Sequence, residues 1–487
     1  NFTSSTDSYN VAVGFHAGIA VTTGTNNTLI GGLAGDAITT GGSNVAVGFD
    51  SLTSNTTASG NSAFGQSSLK SNTTGTSNTG LGGQALQTNS TGSSNTAVGV
   101  LALYANTTGG SNTAVGFEAL RNNSTGTRLT AIGYEALGSS TTGNYNAAGG
   151  WKALNANTTG THNSAWGDGS LQFNTTGVGN SALGQGALAA NTTANNNTAV
   201  GADALKINTT GQYNVAMGVN ALYSNTTANY SVAVGFEALK LTTTGVGNVG
   251  VGQSALYSNT TGTDNTGVGY GVLDASTTGA RNAAIGSGAG GATTTGPNNV
   301  FVGYLAGNYG TPNTTGHENT FLGSYSYAPA TAIQVIAIGH SVVGTQGYTT
   351  VGYASNDIRA AHGTATWAAV SDQRYKKDIA DSTAGLSFIN ALQPRTFNYR
   401  TLGELPETFR AYEADSTEVY KSSQTQHGFI AQEVKAAIDA DSSIADGFKL
   451  WDDRDDGSQE VAETALIPVL VKAIQELTAR LETLEGE

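Results

Sequence analysis

The chain has 487 residues, no cysteine, 67 glycines and a net charge of -14 at pH 7. Without cysteine there are no disulfides and no thiolate metal sites, and the acidic balance argues against a nucleic-acid backbone as a partner. No apolar run approaches the roughly 20 residues that a membrane-spanning helix needs, so no membrane span is predicted.

A phrase of 17 residues is repeated along most of the chain. In the copy from Asn112 to Gly126 it reads N-T-A-V-G, two variable residues, A-L, two more variable residues and the turn N-S-T-G. Its fifth residue is a glycine from Gly14 to Gly303, which gives eighteen copies in strict register. Self-similarity at a fixed period is typical of a stacked array whose units are each too small to bury a core.

The first five positions of the repeat predict a short strand. Position four is apolar in almost every copy, as at Val13 and Trp166, with Gly149 as the exception, whereas position three is usually Ala or Gly. This alternation predicts that position four faces a core and that position three meets a close neighbour. The glycine at position five lets the backbone turn or approach another chain.

A coil of this length has room for two short strands and two turns. The N-T-T-G segments, such as Asn106 to Gly109, are predicted to be turns in which glycine supplies a positive φ. Such a coil encloses a very thin core. We therefore expect neighbouring chains to complete it.

Position nine distinguishes the ends of the array from its middle. It is leucine in fourteen consecutive copies, from Leu52 to Leu273, and glycine in the outer two copies at each end: Gly18, Gly35, Gly290 and Gly307. Capping repeats of a stacked array are expected to differ in this way. At about 4.8 Å per coil, the eighteen copies predict a rod about 85 Å long.

The phrases N-x-A-V-G and N-x-A-I-G resemble the V-A-I-G phrase in the head domains of trimeric autotransporter adhesins, whose period is shorter. The resemblance covers about 300 residues and implies a parallel β-roll built from three chains. The predicted fold is a mainly β shaft, a trimeric β-roll or β-solenoid, followed by a small α+β domain that ends in a coiled-coil helix. The predicted segments are the repeat shaft 1–307, irregular repeats 308–353, a neck 354–370 with Trp367 as its apolar anchor, and a terminal domain 371–487.

The composition changes at Ser371. Residues 1–370 carry 8 basic and 12 acidic groups, whereas residues 371–487 carry 12 and 22. Four stretches of the second part resemble the intramolecular chaperone domain of the endosialidase type, which ends many phage tail spikes and fibres and cuts itself off after folding. They are S-D-Q-R-Y-K-K-D-I from Ser371, A-L-Q-P-R-T-F-N-Y-R from Ala391, H-G-F-I-A-Q-E-V from His427 and L-I-P-V-L-V-K-A-I-Q-E-L from Leu466.

The resemblance implies cleavage between Val370 and Ser371, with Ser371 as the nucleophile and Lys376 as its base. A serine hydroxyl is a weak nucleophile until a neighbouring group takes its proton, and a lysine takes it only where desolvation lowers the lysine pKa. Burial in a folded trimer would provide that desolvation, so cleavage would report completed assembly. The alternative interpretation is a helix N-cap at Ser371 followed by solvated charges.

The last helix carries a heptad seam, whose apolar residues alternate by three and four: Ile467, Leu470, Ile474, Leu477, Leu481 and Leu484. Such a seam joins several chains in a coiled coil. An apolar helix that packs on its own domain is the alternative. The seam is short, so it would close a trimer rather than create one.

No cofactor and no metal ion is predicted. G-S-G-A-G-G from Gly286 imitates a phosphate loop, but no strand-loop-helix unit surrounds it. The run Asp452 to Asp456 is interpreted as a solvated acidic loop, with a calcium site as the alternative.

These features together favour a homotrimeric phage tail fibre for host attachment, located on the virion and assembled in the host cytoplasm. Its expected partners are two further copies of itself, a host surface receptor for which a glycan is one candidate, and other virion proteins at the N-terminal end. Self-cleavage is the only predicted enzymatic activity. The alternatives are a bacterial trimeric adhesin on the cell surface and a glycan-degrading tailspike; the unbroken register of the repeats leaves no room for the catalytic domain of the latter.

Overall fold

The computed structural model describes residues 8–310, 313–364, 368–369, 371, 373–442, 444, 448–454 and 457–486. The chain divides into two compact units, Asn1–Val370 and Ser371–Glu487, here called the shaft and the C-terminal domain. Trp367 and Val370, which the sequence singled out as neck anchor and cleavage site, lie outside the described residues.

The shaft is a long parallel β-solenoid of about 20 coils, as predicted. Each regular coil contributes one strand of three residues rather than the two strands expected, and bends and turns make up the rest. The strands of the seventeen-residue coils are β1 Val11–Val13, β2 Thr28–Ile30, β3 Val45–Val47, β4 Ser62–Phe64, β5 Thr79–Leu81, β6 Thr96–Val98, β7 Thr113–Val115, β8 Thr130–Ile132, β9 Ala147–Gly149, β10 Ser164–Trp166, β11 Ser181–Leu183, β12 Thr198–Val200, β13 Val215–Met217, β14 Val232–Val234, β15 Val249–Val251, β16 Thr266–Val268, β17 Ala283–Ile285 and β18 Val300–Val302.

The register is set by the period of the sequence. Each strand residue pairs with its equivalent 17 positions on, as in Ala114 with Ala131. The period then loosens through β19 Thr320–Leu322, β20 Ile336–His340 and β21 Tyr348–Tyr353. The antiparallel strands β22 Asn356–Ala361 and β23 Ala368–Ala369 follow β21 and end the parallel stacking. Such a reversal covers the open edge that the last parallel strand would otherwise present.

The faces of these strands are opposite to those predicted. Position three, as in Ala114, is fully buried inside the coil, whereas position four points outward and leaves Leu81 48% and Trp166 41% exposed. Leu120 and the other leucines of position nine fill the interior from the facing side. The prediction that other chains complete the core is therefore wrong, because a narrow coil closes over its own alanines and leucines.

Two columns of buried asparagines stabilise the stacking of the coils. At position one, Asn112 donates from Nδ2 to the carbonyl oxygen of Gly126 at 2.9 Å. At position twelve, Asn106 donates to Asn89 Oδ1 at 2.7 Å and to the carbonyl oxygen of Gly109 at 2.9 Å. Amide columns of this kind satisfy backbone and side-chain groups that have no access to water.

The corner of each coil depends on the glycine at position five. Gly116 has a φ of +136°, and a Cβ there would lie 2.4 Å from the carbonyl oxygen of Gly133 in the next coil. This close neighbour is the same chain rather than another one. The glycine of N-T-T-G at Gly109 does not adopt a positive φ. Besides the corner glycine, the left-handed conformation lies at positions seven, nine and seventeen, as in Glu118, Leu120 and Ser111.

The C-terminal domain is a small α+β unit. Its strands form two antiparallel pairs, β24 Arg395–Phe397 with β25 Gln426–Gly428 and β26 Trp451–Asp453 with β27 Gln459–Val461. Its helices are α1 Leu386–Ala391, α2 Ala431–Ala440 and α3 Leu466–Glu485, with 3-10 turns at Gln373–Tyr375, Leu402–Glu404 and Glu463–Ala465. Phe388 of α1, Val434 of α2 and Val469 of α3 meet in one buried core.

Candidate self-processing site and association surfaces

The sequence-predicted nucleophile and base lie in contact. Ser371 is the first residue of the C-terminal domain, and the 3-10 turn Gln373–Tyr375 returns the chain so that the Lys376 amide donates to the Gln373 carbonyl at 3.0 Å. This turn brings Lys376 Nζ to 2.7 Å from Ser371 Oγ, where it donates a hydrogen bond. A nucleophile and a base within hydrogen-bond distance are the minimum geometry for activating a serine.

In the single chain, solvent surrounds the pair formed by Ser371 and Lys376. The side chains of Ser371 and Lys376 are both exposed. A lysine acts as a base only where water is largely removed, because desolvation disfavours its charged form. The single chain therefore supplies the contact but not the desolvation.

The other three motifs of the terminal domain serve its packing. Arg395, from the stretch that begins at Ala391, forms a two-pronged ion pair with Glu433, from the stretch that begins at His427, at 2.9 and 2.8 Å. This contact raises the pKa of Arg395 and lowers the pKa of Glu433. Glu476 of α3 accepts a hydrogen bond from the Leu386 amide at 2.9 Å and so caps α1. The motifs thus join β24, α1, α2 and α3.

The last helix has two apolar faces. One face consists of Leu466, Val469 and Ala473, which are buried in the core of the domain. The helix therefore packs on its own domain, as the alternative prediction had it. The predicted seam lies on residues that this packing leaves free. All six are exposed, from 42% at Leu470 to 72% at Leu484.

A second apolar row runs along the outside of the shaft, although the alternation of residues in the strands predicted that it would face the core. It consists of the position-four residues and is here called the apolar stripe: Val13, Ile30, Val47, Phe64, Leu81, Val98, Val115, Ile132, Gly149, Trp166, Leu183, Val200, Met217, Val234, Val251, Val268, Ile285, Val302, Leu322, Ile338 and Val351. Over about 20 coils, at about 4.8 Å each, it is about 95 Å long. Contiguous apolar surface of this extent marks an interaction site.

The one gap in the apolar stripe is filled by its neighbour. A Cβ at Gly149 would lie 2.2 Å from the ring of Trp166, so the indole of one coil covers the space above the glycine of the coil before it. The variation of side-chain size at position four, from glycine to tryptophan, could have indicated an outward position. In the same coils, where position nine is leucine, the buried position three holds only alanine or glycine, because a closed interior tolerates far less change in volume.

Within the described ranges no helix is long and apolar enough to cross a membrane. Nor does any group of three or more His, Asp or Glu residues there stand in a position to hold a metal ion.

Comparison with known proteins gives one match. Residues 371–441 match the family model described as chaperone of endosialidase, and this range begins at Ser371. No curated protein and no solved structure matches the chain significantly. The match and the β-solenoid together fit a tail fibre with a C-terminal chaperone domain.

Proposed function

We propose that this chain is one subunit of a homotrimeric phage tail fibre that attaches the virion to its host. In this proposal the C-terminal domain drives trimerisation and then cuts the bond between Val370 and Ser371. The observation that carries the proposal is the contact of Lys376 with Ser371 at the first residue of the chaperone match.

The chemistry follows from the position of the nucleophile, which belongs to the residue directly after the bond that is cut. Ser371 Oγ bonds to the carbonyl carbon of Val370, and the bond from that carbon to the Ser371 nitrogen breaks. The proton of Oγ passes by way of the Lys376 amine to the leaving nitrogen. Water then hydrolyses the resulting ester, which leaves a carboxylate on Val370 and a free amine on Ser371.

Trimerisation would complete this site. Lys376 is exposed in the single chain, so a neighbouring chain that covers it would remove water and favour its neutral form. The cut would then follow assembly rather than precede it. The apolar stripe and the seam of α3 supply the surfaces for that assembly, one in each unit.

A second copy of the chain is the occupant that both surfaces favour. Another shaft presents the same apolar row at the same coil spacing, so two rows match along their whole length. The seam of α3 has the spacing of a parallel coiled coil, which would align chains in the same direction. Two unpartnered apolar rows in one chain are most simply covered by the same rows of its copies.

The self-cleavage is tested by intact mass spectrometry of the purified protein beside Ser371→Ala and Lys376→Met. We expect wild type to separate into a piece ending at Val370 and the 117 residues that follow (487 − 370), whereas both variants stay at full length. Lys377→Met is the matched control, because Lys377 is also exposed and should leave the cut intact. A wild-type chain that trimerises and stays at full length would refute the cleavage.

A further inference from the structure

A cluster of aromatic rings lies on the last coils of the shaft, where the 17-residue period is lost. We call it the aromatic cluster; it consists of five tyrosines and one histidine: Tyr304, Tyr309, Tyr325, Tyr327, His340 and Tyr353. The ring of Tyr325 lies at the centre, with ring centroids 5.3 Å from Tyr304, 4.8 Å from Tyr309 and 5.4 Å from His340. Tyr353 stacks on His340 at 5.1 Å.

Elsewhere in the described shaft the ring contacts are pairs. Examples are Phe117 with Tyr134 at 5.5 Å and Tyr213 with Tyr230 at 5.3 Å. Within the part of the shaft that the structure describes, successive ring contacts join into a group only in these last coils. A uniform repeat offers the same surface many times, whereas these coils carry a set of side chains that occurs once.

The aromatic cluster is accessible in the single chain. Tyr304 and Tyr309 are each 47% exposed and Tyr353 is 64% exposed, while Tyr325 and Tyr327 are half-buried. The three neighbours of Tyr325 meet its ring at steep angles between 71° and 86°. Tyr325 therefore acts as a partly buried support that fixes the orientation of more exposed rings.

We propose that the aromatic cluster binds a carbohydrate of the host surface by stacking of uncharged pyranose rings on its tyrosines. The inference rests on the proposed host attachment and assigns it a site. The C–H bonds on a pyranose face carry partial positive charge and pack on the negative face of an aromatic ring. A fixed aromatic platform offers this contact at little cost in side-chain entropy.

The polar atoms of the aromatic cluster favour a sugar over an apolar peptide. Every ring carries a hydrogen-bonding group at its edge, a phenol hydroxyl or an imidazole nitrogen. A sugar that stacks on these faces can therefore exchange hydrogen bonds with the ring margins. None of the six side chains is an acid, a lysine or an arginine, which favours an uncharged sugar over an anionic one.

The position of the aromatic cluster is compatible with assembly through the apolar stripe. In each coil the stripe residue precedes the corner glycine and the cluster residues follow it, as Leu322 and Tyr325 flank Gly323, which has a φ of +128°. The corner therefore separates the two surfaces along the chain. The competing interpretation is that a second copy of the chain covers the aromatic cluster. The experiment below distinguishes this occupant from a carbohydrate.

The test compares retention of the labelled assembled protein, expressed as the complete chain, on an array of bacterial surface polysaccharides and neutral hexose oligosaccharides. The variant replaces the three most exposed rings: Tyr304→Ala, Tyr309→Ala and Tyr353→Ala. The control removes an exposed stacked pair elsewhere, Tyr213→Ala with Tyr230→Ala. We expect wild type and control to bind at least one glycan and the cluster variant to bind it roughly tenfold or more weakly.

Replacement of the same three tyrosines by phenylalanine separates stacking from hydrogen bonding. This variant keeps the ring faces, so we expect it to bind more tightly than the alanine variant and more weakly than wild type. Equal binding by wild type and the alanine variant, or no glycan binding by wild type, would overturn the site.

Light scattering and intact-mass measurements on the same samples report the oligomeric state and the self-cleavage. They distinguish a failure of the glycan site from a failure of the proposed function. A trimer that cuts itself and adheres to host cells, but whose adhesion the alanine variant leaves unchanged, refutes only the aromatic cluster as the site. A wild-type chain that stays monomeric refutes the fibre. An alanine variant that fails to trimerise shows that a second copy occupies the cluster, and it likewise overturns the glycan site.

Discussion

At the scale of single residues, the side chains at positions three and nine compensate for each other in size inside the shaft. Where one of them is large, the other is small. In the middle coils a small Ala114 faces a large Leu120, whereas in an end coil Phe301 faces Gly307. A Cβ at Gly307 would lie 2.3 Å from the Phe301 ring, so only glycine leaves room for it. Two of the four end copies, those with Leu29 opposite Gly35 and Phe301 opposite Gly307, are thus filled from the opposite side to the middle coils.

The leucines of position nine carry an unusual backbone. Leu120 has a φ of +52°, a conformation that costs a residue with a side chain roughly 1–3 kcal/mol. Full burial of a leucine side chain contributes about 1.5–3 kcal/mol in the other direction. The two effects are of similar size, so this leucine adds little net stability and acts mainly by filling the interior of the coil.

The buried asparagine column gives a prediction at this scale. Asn106→Ala removes two donated hydrogen bonds and the acceptor for Asn123 Nδ2, which lies 2.9 Å away. Because the abandoned groups stay buried, we expect a local loss of about 3 kcal/mol. Native-state hydrogen exchange of the neighbouring coils measures it.

Thr108→Ala, two residues on in the same turn, is the control for this loss. Thr108 is exposed, and surface substitutions usually change stability by no more than about 0.5 kcal/mol. Similar losses of protection in the two variants would show that the amide column does not stabilise the stack.

At the scale of elements, α3 divides its apolar residues between two tasks. Leu466, Val469 and Ala473 join it to its own domain, and the exposed seam lies on other residues of the same helix. Loss of the seam should therefore leave the domain folded. This separation makes the association of the helix testable without unfolding it.

Ile474→Asp tests the seam. Ile474 is 62% exposed, so the substitution should leave the monomer intact. In a coiled coil it would bury three unpaired charges, and we expect self-association to weaken by more than about tenfold. Sedimentation of Ile474→Asp beside Gln475→Asp, which adds the same charge one residue away, measures the difference. Equal association of the two variants would rule out the seam as an interface.

At the scale of the whole molecule, the regularity of the shaft creates a problem of alignment. A slip of one coil between two shafts leaves all but one of the coils in contact, because the apolar stripe repeats its chemistry at every coil. The repeat alone therefore discriminates weakly between registers. A C-terminal domain that associates first would fix the register, which is consistent with its match to a chaperone family.

Three substitutions spread along the apolar stripe test the shaft interface: Leu81→Asp, Leu183→Asp and Ile285→Asp. These side chains are 48%, 55% and 52% exposed in the single chain, so each solenoid should fold. We expect the shafts to separate, because an association that buries unpaired carboxylates is strongly disfavoured. Small-angle scattering should then report a larger cross-section for the assembly.

The matched control places the same charges on the outer turn at position fourteen: Thr74→Asp, Thr176→Asp and Thr278→Asp. These threonines are exposed and lie away from the apolar stripe in the repeat. An unchanged cross-section in the stripe variant, or an equal change in the control, would place the interface elsewhere.

The sequence by itself determined the parallel solenoid, its 17-residue register and the chaperone-type terminal domain, because each depends on a pattern along the chain. Only the tertiary structure decided which side of each strand faces inward. Alternation at Ala114 and Val115 defines two faces but not the width of the space behind either one. That width depends on the corner glycine and on Leu120, whose left-handed backbone brings a large side chain across the coil. The same limit applies to the functional surfaces: the motif named Ser371 and Lys376, but folding was needed to show them in contact and to place Tyr304 near Tyr325.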